Sequence, residues 1–266
     1  MARMRQTSRL VSLMSAGAFG VLAFTLSGAP AVARPPETYD DLTALLQRYV
    51  DERGLVDYRA WKEKDEGALR EVVRRLSALD LSGWADSQRD LQAYWINVYN
   101  AVTLQAMLEF FPLRSIRDKA ADGADWNIWN DYAFENGGRK YSLNTIEHEL
   151  LRPMGDPRIH AAVNCASLGC PPLRREAFVA SRLEEQLADQ TRVWLNDAGR
   201  GVRMREGDLV ALSEIFNWFG NDFAPDVPGR LRWISKFIRD PAMREAVTRR
   251  GARVESIPWD WRLNQQ

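Results

Sequence analysis

Across residues 39–50 the apolar side chains Leu42, Leu45, Leu46 and Tyr49 recur at helical spacing, and residues 69–79 repeat the pattern with Leu69, Val72, Val73, Leu76 and Leu79. Two amphipathic core helices are predicted there, joined by a short extended connection at Gly54-Leu55-Val56-Asp57-Tyr58. A longer helix is predicted over 91–111, with Tyr94, Trp95, Val98, Val102, Leu104, Met107 and Leu108 on its apolar face and Pro112 ending it. It is the predicted centre of the fold.

Beyond it, Asn144-Thr145-Ile146-Glu147 reads as a capping box opening a helix over 145–151, because an Asn cap and a Glu three residues on each satisfy an orphan amide. Residues 158–163 read as a short buried strand leading into a turn with Ser167 and Gly169 and then Pro171-Pro172. The second half predicts a helix over 183–195, a hairpin around Gly207-Asp208, and helices over 215–219 and 231–238. Helix dominates and strands are few, so the expected class is α+β, a helix-rich single domain with a small β-sheet.

The first 33 residues stand apart. Arg3, Arg5 and Arg9 precede an apolar run over 10–26, and Ala31-Val32-Ala33 supplies a small-residue end, the layout of a cleavable secretory signal peptide with cleavage after Ala33. Residues 34–266 are then the expected single domain, periplasmic or secreted, with no stable membrane span after signal cleavage. No linker, repeat or low-complexity tract divides them. The nearest cysteine is Cys165, too far from the cleavage point to carry a lipid anchor.

Charge argues against nucleic acid. The full chain carries 36 basic and 36 acidic residues, and loss of the leader leaves 33 against 36. The local cluster of Arg244, Arg249, Arg250 and Arg253 reads as a solvated helix face. No Gly-rich phosphate loop accompanies a strand and helix, so no cofactor is expected.

The candidate chemistry gathers in residues 147–170, which contain both histidines and both cysteines of the chain, with Glu147 and Asn164 among them. A thiol and an imidazole can build a nucleophilic site when a carboxylate or amide orients the base. If 158–163 is a strand, His160 and Cys165 point to opposite faces, so their contact requires a bend near Asn164 or a nitrogen from His148. The amides of Ala166 and Ser167 are then available to an oxyanion.

Three other readings stand beside it. Cys165 and Cys170 enclose four residues and suit a disulfide in an exported protein, contributing about 2 kcal/mol by loop entropy. His148, His160 and the thiolates could hold a metal, although the spacing is not a strong zinc pattern. Buried thiols with hydrogen-bonded core histidines are the reading without chemistry. Asn97 and Asn100 share one face of the central helix; such amides either orient an imidazole or bind neighbouring backbone. Trp126 and Trp129 fall in an irregular stretch, 121–138, where aromatic side chains line a groove or anchor a loop.

The strings AYWINVYNAVTLQAML, SLNTIEHELLRP, DPRIHAAVNCASLGCPPL, LSEIFNWFGNDF and PWDWRLN resemble, in order, successive landmarks of the domain-of-unknown-function family 547, over a span from about Tyr39 to Asn264. The resemblance implies a helix-rich α+β domain, with Asn97, Asn100, Glu147, His148, His160, Asn164, Cys165 and Cys170 as its polar landmarks, and implies no established reaction. A weaker likeness is to papain-like and transglutaminase-like thiol enzymes. Those usually begin the central helix with the cysteine, whereas here that place carries Tyr94, Asn97 and Asn100.

Two functions are therefore expected alternatives. One is a cysteine-dependent hydrolase or acyltransferase acting on peptides or cell-envelope material, with Cys165 as nucleophile, His160 as base, and Glu147, His148, Asn164 and Asn100 in support. The other is a non-catalytic envelope protein that binds a peptide, glycan or partner and carries a structural Cys165–Cys170 disulfide.

Overall fold

The apolar stripe of the first predicted helix closes onto the second and third, and these three helices define the larger of two hydrophobic cores. The computed structural model describes residues 39–84, 87–118, 127–205 and 209–266, all within one compact unit. The expected signal peptide lies outside the described residues.

Helix α1 (Asp40–Tyr49) buries Leu42, Leu45, Leu46 and Tyr49. Helix α2 (Tyr58–Ser77) begins eleven residues before the stripe at Leu69, because Asp57 caps it by accepting the Ala60 amide at 2.9 Å and Tyr58 and Trp61 bury its first turn. The charged run between Trp61 and Leu69 hid that half of the helix, which bends at Asp65. Asp65 accepts from Tyr49 at 2.6 Å and from Arg48 at 2.5 Å, tying the bend to α1.

Helix α3 (Gln88–Phe110) is the central element, buried on every side from Gln92 to Leu104. Such a helix has no polar face, so its amides must find partners inside the protein. After it come a one-turn helix α4 (Ile128–Asp131) and the antiparallel hairpin of β1 (Ala133–Asn136) and β2 (Arg139–Ser142). Much of the stretch expected to be irregular is therefore regular; Trp126 lies outside the described residues.

The helix predicted over 145–151 is present in π form (Thr145–Leu151), but its cap differs from the expected one. The Ser142 hydroxyl accepts the Thr145 amide at 3.1 Å, Asn144 turns to donate to Asn130, and Glu147 is buried. The predicted strand over 158–163 is instead a single turn of helix, α5 (Ile159–Ala162). A fully buried apolar run of this length has the same pattern in both states, and the turn made by Asp156 and Pro157 favours the helix.

Helix α6 (Leu183–Leu195) has the predicted bounds. The second core lies around a three-stranded sheet in the order β3 (Val202–Met204), β4 (Leu209–Ser213), β5 (Arg253–Ile257). The first pair is the predicted antiparallel hairpin, whose tip at 207–208 lies outside the described residues, and β5 adds in parallel. Between β4 and β5 run α7 (Ile215–Trp218), α8 (Gly220–Phe223), α9 (Val227–Ser235) and α10 (Pro241–Thr248). Within the basic cluster, Arg244 donates to the carbonyl of Ile238 at 2.7 Å and Arg253 lies on β5, so the cluster is not one solvated helix face. The chain is an α+β domain, and among the described residues no helix is long and apolar enough to cross a membrane.

Candidate functional site

Immediately after α5 the chain makes a tight loop, 163–171, fixed by buried amides. Asn100, on α3, donates to the carbonyl of Ala162 at 2.9 Å and accepts the amide of Asn164 at 2.8 Å. Asn164 donates to Pro171 at 2.8 Å and accepts from Ala166 at 2.8 Å and from the Asn264 side chain at 3.2 Å, while Asn264 accepts the Tyr58 hydroxyl at 2.6 Å. One helical turn away on α3, Asn97 pairs in the same two-handed way with both backbone groups of Phe178, at 2.7 and 2.9 Å. Asn97 and Asn100 thus serve neighbouring backbone.

The loop places Ala166 at φ 58°, a left-handed conformation that costs a non-glycine residue about 1–2 kcal/mol and is held by the Asn164 bond to its amide. That amide is therefore committed and does not face an oxyanion. Cys165 and Cys170 are joined by a disulfide across a Cα separation of 6.3 Å, with Cys170 buried and Cys165 half-buried. Ser167 lies 3.3 Å from each sulfur and accepts the Trp259 indole N–H at 3.0 Å.

His160 is buried on α5 and stacks on Phe219, ring centroids 4.6 Å apart. Its Nε2 is 2.8 Å from Asp222 on α8, and its Nδ1 is 3.9 Å from Glu147. Both imidazole nitrogens face carboxylates, so the expected partnership of His160 with Cys165 is replaced by a His160–Asp222 pair. Asp222 also binds the Arg152 guanidinium through two bonds at 2.7 and 2.8 Å. His148 is exposed, with Nδ1 3.1 Å from Arg152 and its ring 5.9 Å from that of Phe219.

These environments set the charges. Burial lowers the imidazole of His160 to about 4 despite Asp222, so it is neutral at pH 7 and donates from Nε2. Burial raises Glu147 to about 7, with a hydrogen bond from Tyr99 and the charge of Arg152 opposing it. The bond from His160 and above all the two bonds from Arg152 hold Asp222 below its usual range.

Glu147, His148, His160, Cys165 and Cys170 line a common cavity of about 240 Å³. The rest of its wall is largely aromatic: Tyr99, Trp129, Trp218, Phe219, Trp259 and Trp261. Trp218, Trp259 and Trp261 form a continuous surface with ring centroids 4.8 to 6.0 Å apart, and Trp129 meets Trp261 edge to face at 6.1 Å. Gly169 lets Trp259 lie against the disulfide loop, because a Cβ there would come within 2.7 Å of the indole.

Sequence reasoning assigned no role to Tyr99, Arg152, Trp218, Phe219, Asp222, Trp259 or Trp261. The available signal was in LSEIFNWFGNDF and PWDWRLN, where several aromatics break both strand and helix periodicity beside an acid. Among the described residues no group of three or more His, Cys, Asp or Glu side chains could hold a metal ion.

Residues 84–195 match the family described as "Protein of unknown function, DUF547". The match is narrower than the span from Tyr39 to Asn264, taking in the central helix, the π-helix and the disulfide loop but stopping before Asp222 and three of the four cavity tryptophans. No curated protein and no solved structure matches the chain.

Proposed function

We propose, from a family segment that carries no assigned reaction, that this chain is an exported ligand-binding protein of the periplasm or extracellular space, with its ligand seated in the aromatic cavity. The cavity is the observation that carries this reading. Aromatic walls with a few convergent polar groups are the usual composition of a small-molecule site. The groups a thiol enzyme needs are engaged elsewhere: Cys165 with Cys170, and His160 with Asp222. In this reading the disulfide is part of the wall.

Tryptophan fluorescence and thermal shift against a panel of small apolar, aromatic and amine compounds test the proposal. A ligand should alter emission and raise the Tm as its concentration passes its Kd, and both responses should weaken in Trp218→Ala. A panel without effect on the wild-type protein at millimolar concentration sinks the reading.

A second reading keeps the cysteine-dependent hydrolase or acyltransferase acting on peptides or envelope material. One observation favours it: half-buried Cys165 lines the same cavity as His160 and Glu147, so reduction would release a thiol beside a substrate-sized space. Its mechanism requires His160 to turn from Asp222 toward Cys165. Alkylation separates the two readings. After reduction, a nucleophilic Cys165 reacts at a rate that titrates below the ordinary thiol pKa of about 8.5, whereas a cysteine freed from a purely structural disulfide titrates at the ordinary value.

A further inference from the structure

We propose that the cavity recognises an alkylated ammonium group, quaternary or tertiary, held between the faces of its tryptophans and the carboxylate of Glu147. The inference rests on the cavity being a ligand site and names the chemistry of its occupant.

Three observations converge on a small organic cation. The volume of about 240 Å³ lies below the roughly 300–1,000 Å³ of drug-sized sites, so the occupant is a compact group. The walls are rings whose faces carry negative potential, which attracts a cation within about 6 Å of a ring centroid, and because the tryptophans touch one another at 4.8 to 6.0 Å they form one continuous wall on which a cation can lie, opposite Glu147. Two rings of this wall stack with guanidinium groups in the same distance range, Arg117 at 4.9 Å from the Trp261 centroid and Arg152 at 5.1 Å from Phe219, which shows that these rings accept cations and takes up one face of each.

The charges supply the polarity. Arg152 is engaged by both oxygens of Asp222, and His160 is neutral, which leaves Glu147 as the lining acid without a salt-bridged arginine. A cation with no N–H donors, or only one, is matched to such a site, because aromatic faces offer no acceptors for a strongly hydrated primary ammonium.

The pH dependence follows from what faces Glu147: Tyr99 from α3, His160 from α5, Asp222 from α8, and Arg152 and His148 from its own segment. Its carboxyl, raised to about 7 by burial, is largely protonated at pH 6 and largely ionised at pH 8. Cation affinity therefore rises with pH across that interval, by about tenfold, and binding releases a proton.

The test uses the intact chain with its disulfide and two probes of matched shape: choline, and its uncharged carbon isostere 3,3-dimethyl-1-butanol. Binding is read by tryptophan fluorescence and calorimetry at pH 6 and 8. Choline should bind at least about tenfold more tightly than the isostere at pH 8. The preference should largely disappear at pH 6 and in Glu147→Gln, and Trp218→Leu, at the exposed rim, should weaken choline binding without unfolding. Equal binding of the isostere overturns the cation inference and leaves the cavity as a ligand site. Binding of neither probe at either pH, together with a blank result from the wider panel, overturns both.

Discussion

Asn100 accepts the backbone amide of Asn164 at 2.8 Å while donating to the carbonyl of Ala162 at 2.9 Å, so one side chain of the central helix holds both sides of the turn into the disulfide loop. Both bonds are buried, and the backbone groups they satisfy have no access to water. Asn100→Ala should therefore cost about 2–6 kcal/mol, the sum of two buried groups left unpaired, read as a fall in the urea midpoint. It should also speed alkylation of Cys165 after reduction, because the loop is freed. A variant as stable as wild type would show that water replaces the side chain.

The disulfide gives a second prediction. It closes a short loop, so reduction should lower stability by about 2 kcal/mol, equivalent to about 4–8 °C in Tm for a domain of this size. Once reduced, half-buried Cys165 should alkylate before buried Cys170. Mass spectrometry of partly labelled protein checks the order. Label appearing first on Cys170 would mean that the loop opens as a whole.

Glu147 and His160 respond to pH in opposite directions. The folded-state value of His160, about 4, is below its ordinary 6.5, so in that window the unfolded chain holds the extra proton and stability falls as pH drops. For Glu147 the folded state holds the extra proton between 4.5 and about 7, and stability is lost as pH rises through that range. Glu147→Gln removes only the second effect. Its stability relative to wild type should therefore improve from pH 5 to pH 8, by about 1–3 kcal/mol. A relative stability that stays flat with pH would mean that Glu147 is already ionised at pH 5.

The legible parts of this molecule were those set by local pattern. The stripe in α1 and the bounds of α6 could be read because a buried face repeats every three to four residues, and α3, buried all round, could be read from the length of its apolar run and the proline that ends it. The first half of α2 was hidden because Tyr58 and Trp61 hold it by tertiary burial, while its outer face is charged. Residues 159–162 looked like a strand because a run buried on all sides carries no period. For the site, sequence proximity brought Glu147, His148, His160, Cys165 and Cys170 into one candidate set, and all five line the cavity. Their partners could not be read the same way. Trp218, Trp259 and Trp261 reach the cavity from the second half of the chain, and Asp222 reaches His160 from α8, a proximity that only the fold creates; Asp222 rather than Cys165 takes the Nε2 of His160.

The last prediction concerns Gly169, whose importance is spatial. Its φ is ordinary for any residue, but a Cβ there would meet the Trp259 ring at 2.7 and 2.9 Å and the Asp260 amide at 3.0 Å. An indole held by a hydrogen bond to Ser167 and packed against Trp218 and Trp261 has little room to yield. Gly169→Ala should therefore cost about 1–3 kcal/mol through overpacking and move Trp259 outward, shifting its emission and weakening any ligand of the cavity. Gly67→Ala is the control: it sits on α2 with open space around its Cβ position and should be neutral or stabilising. If Gly169→Ala binds ligand as wild type does while losing stability, Trp259 supports the loop without contacting the occupant, and the binding wall reduces to Trp129, Trp218 and Trp261.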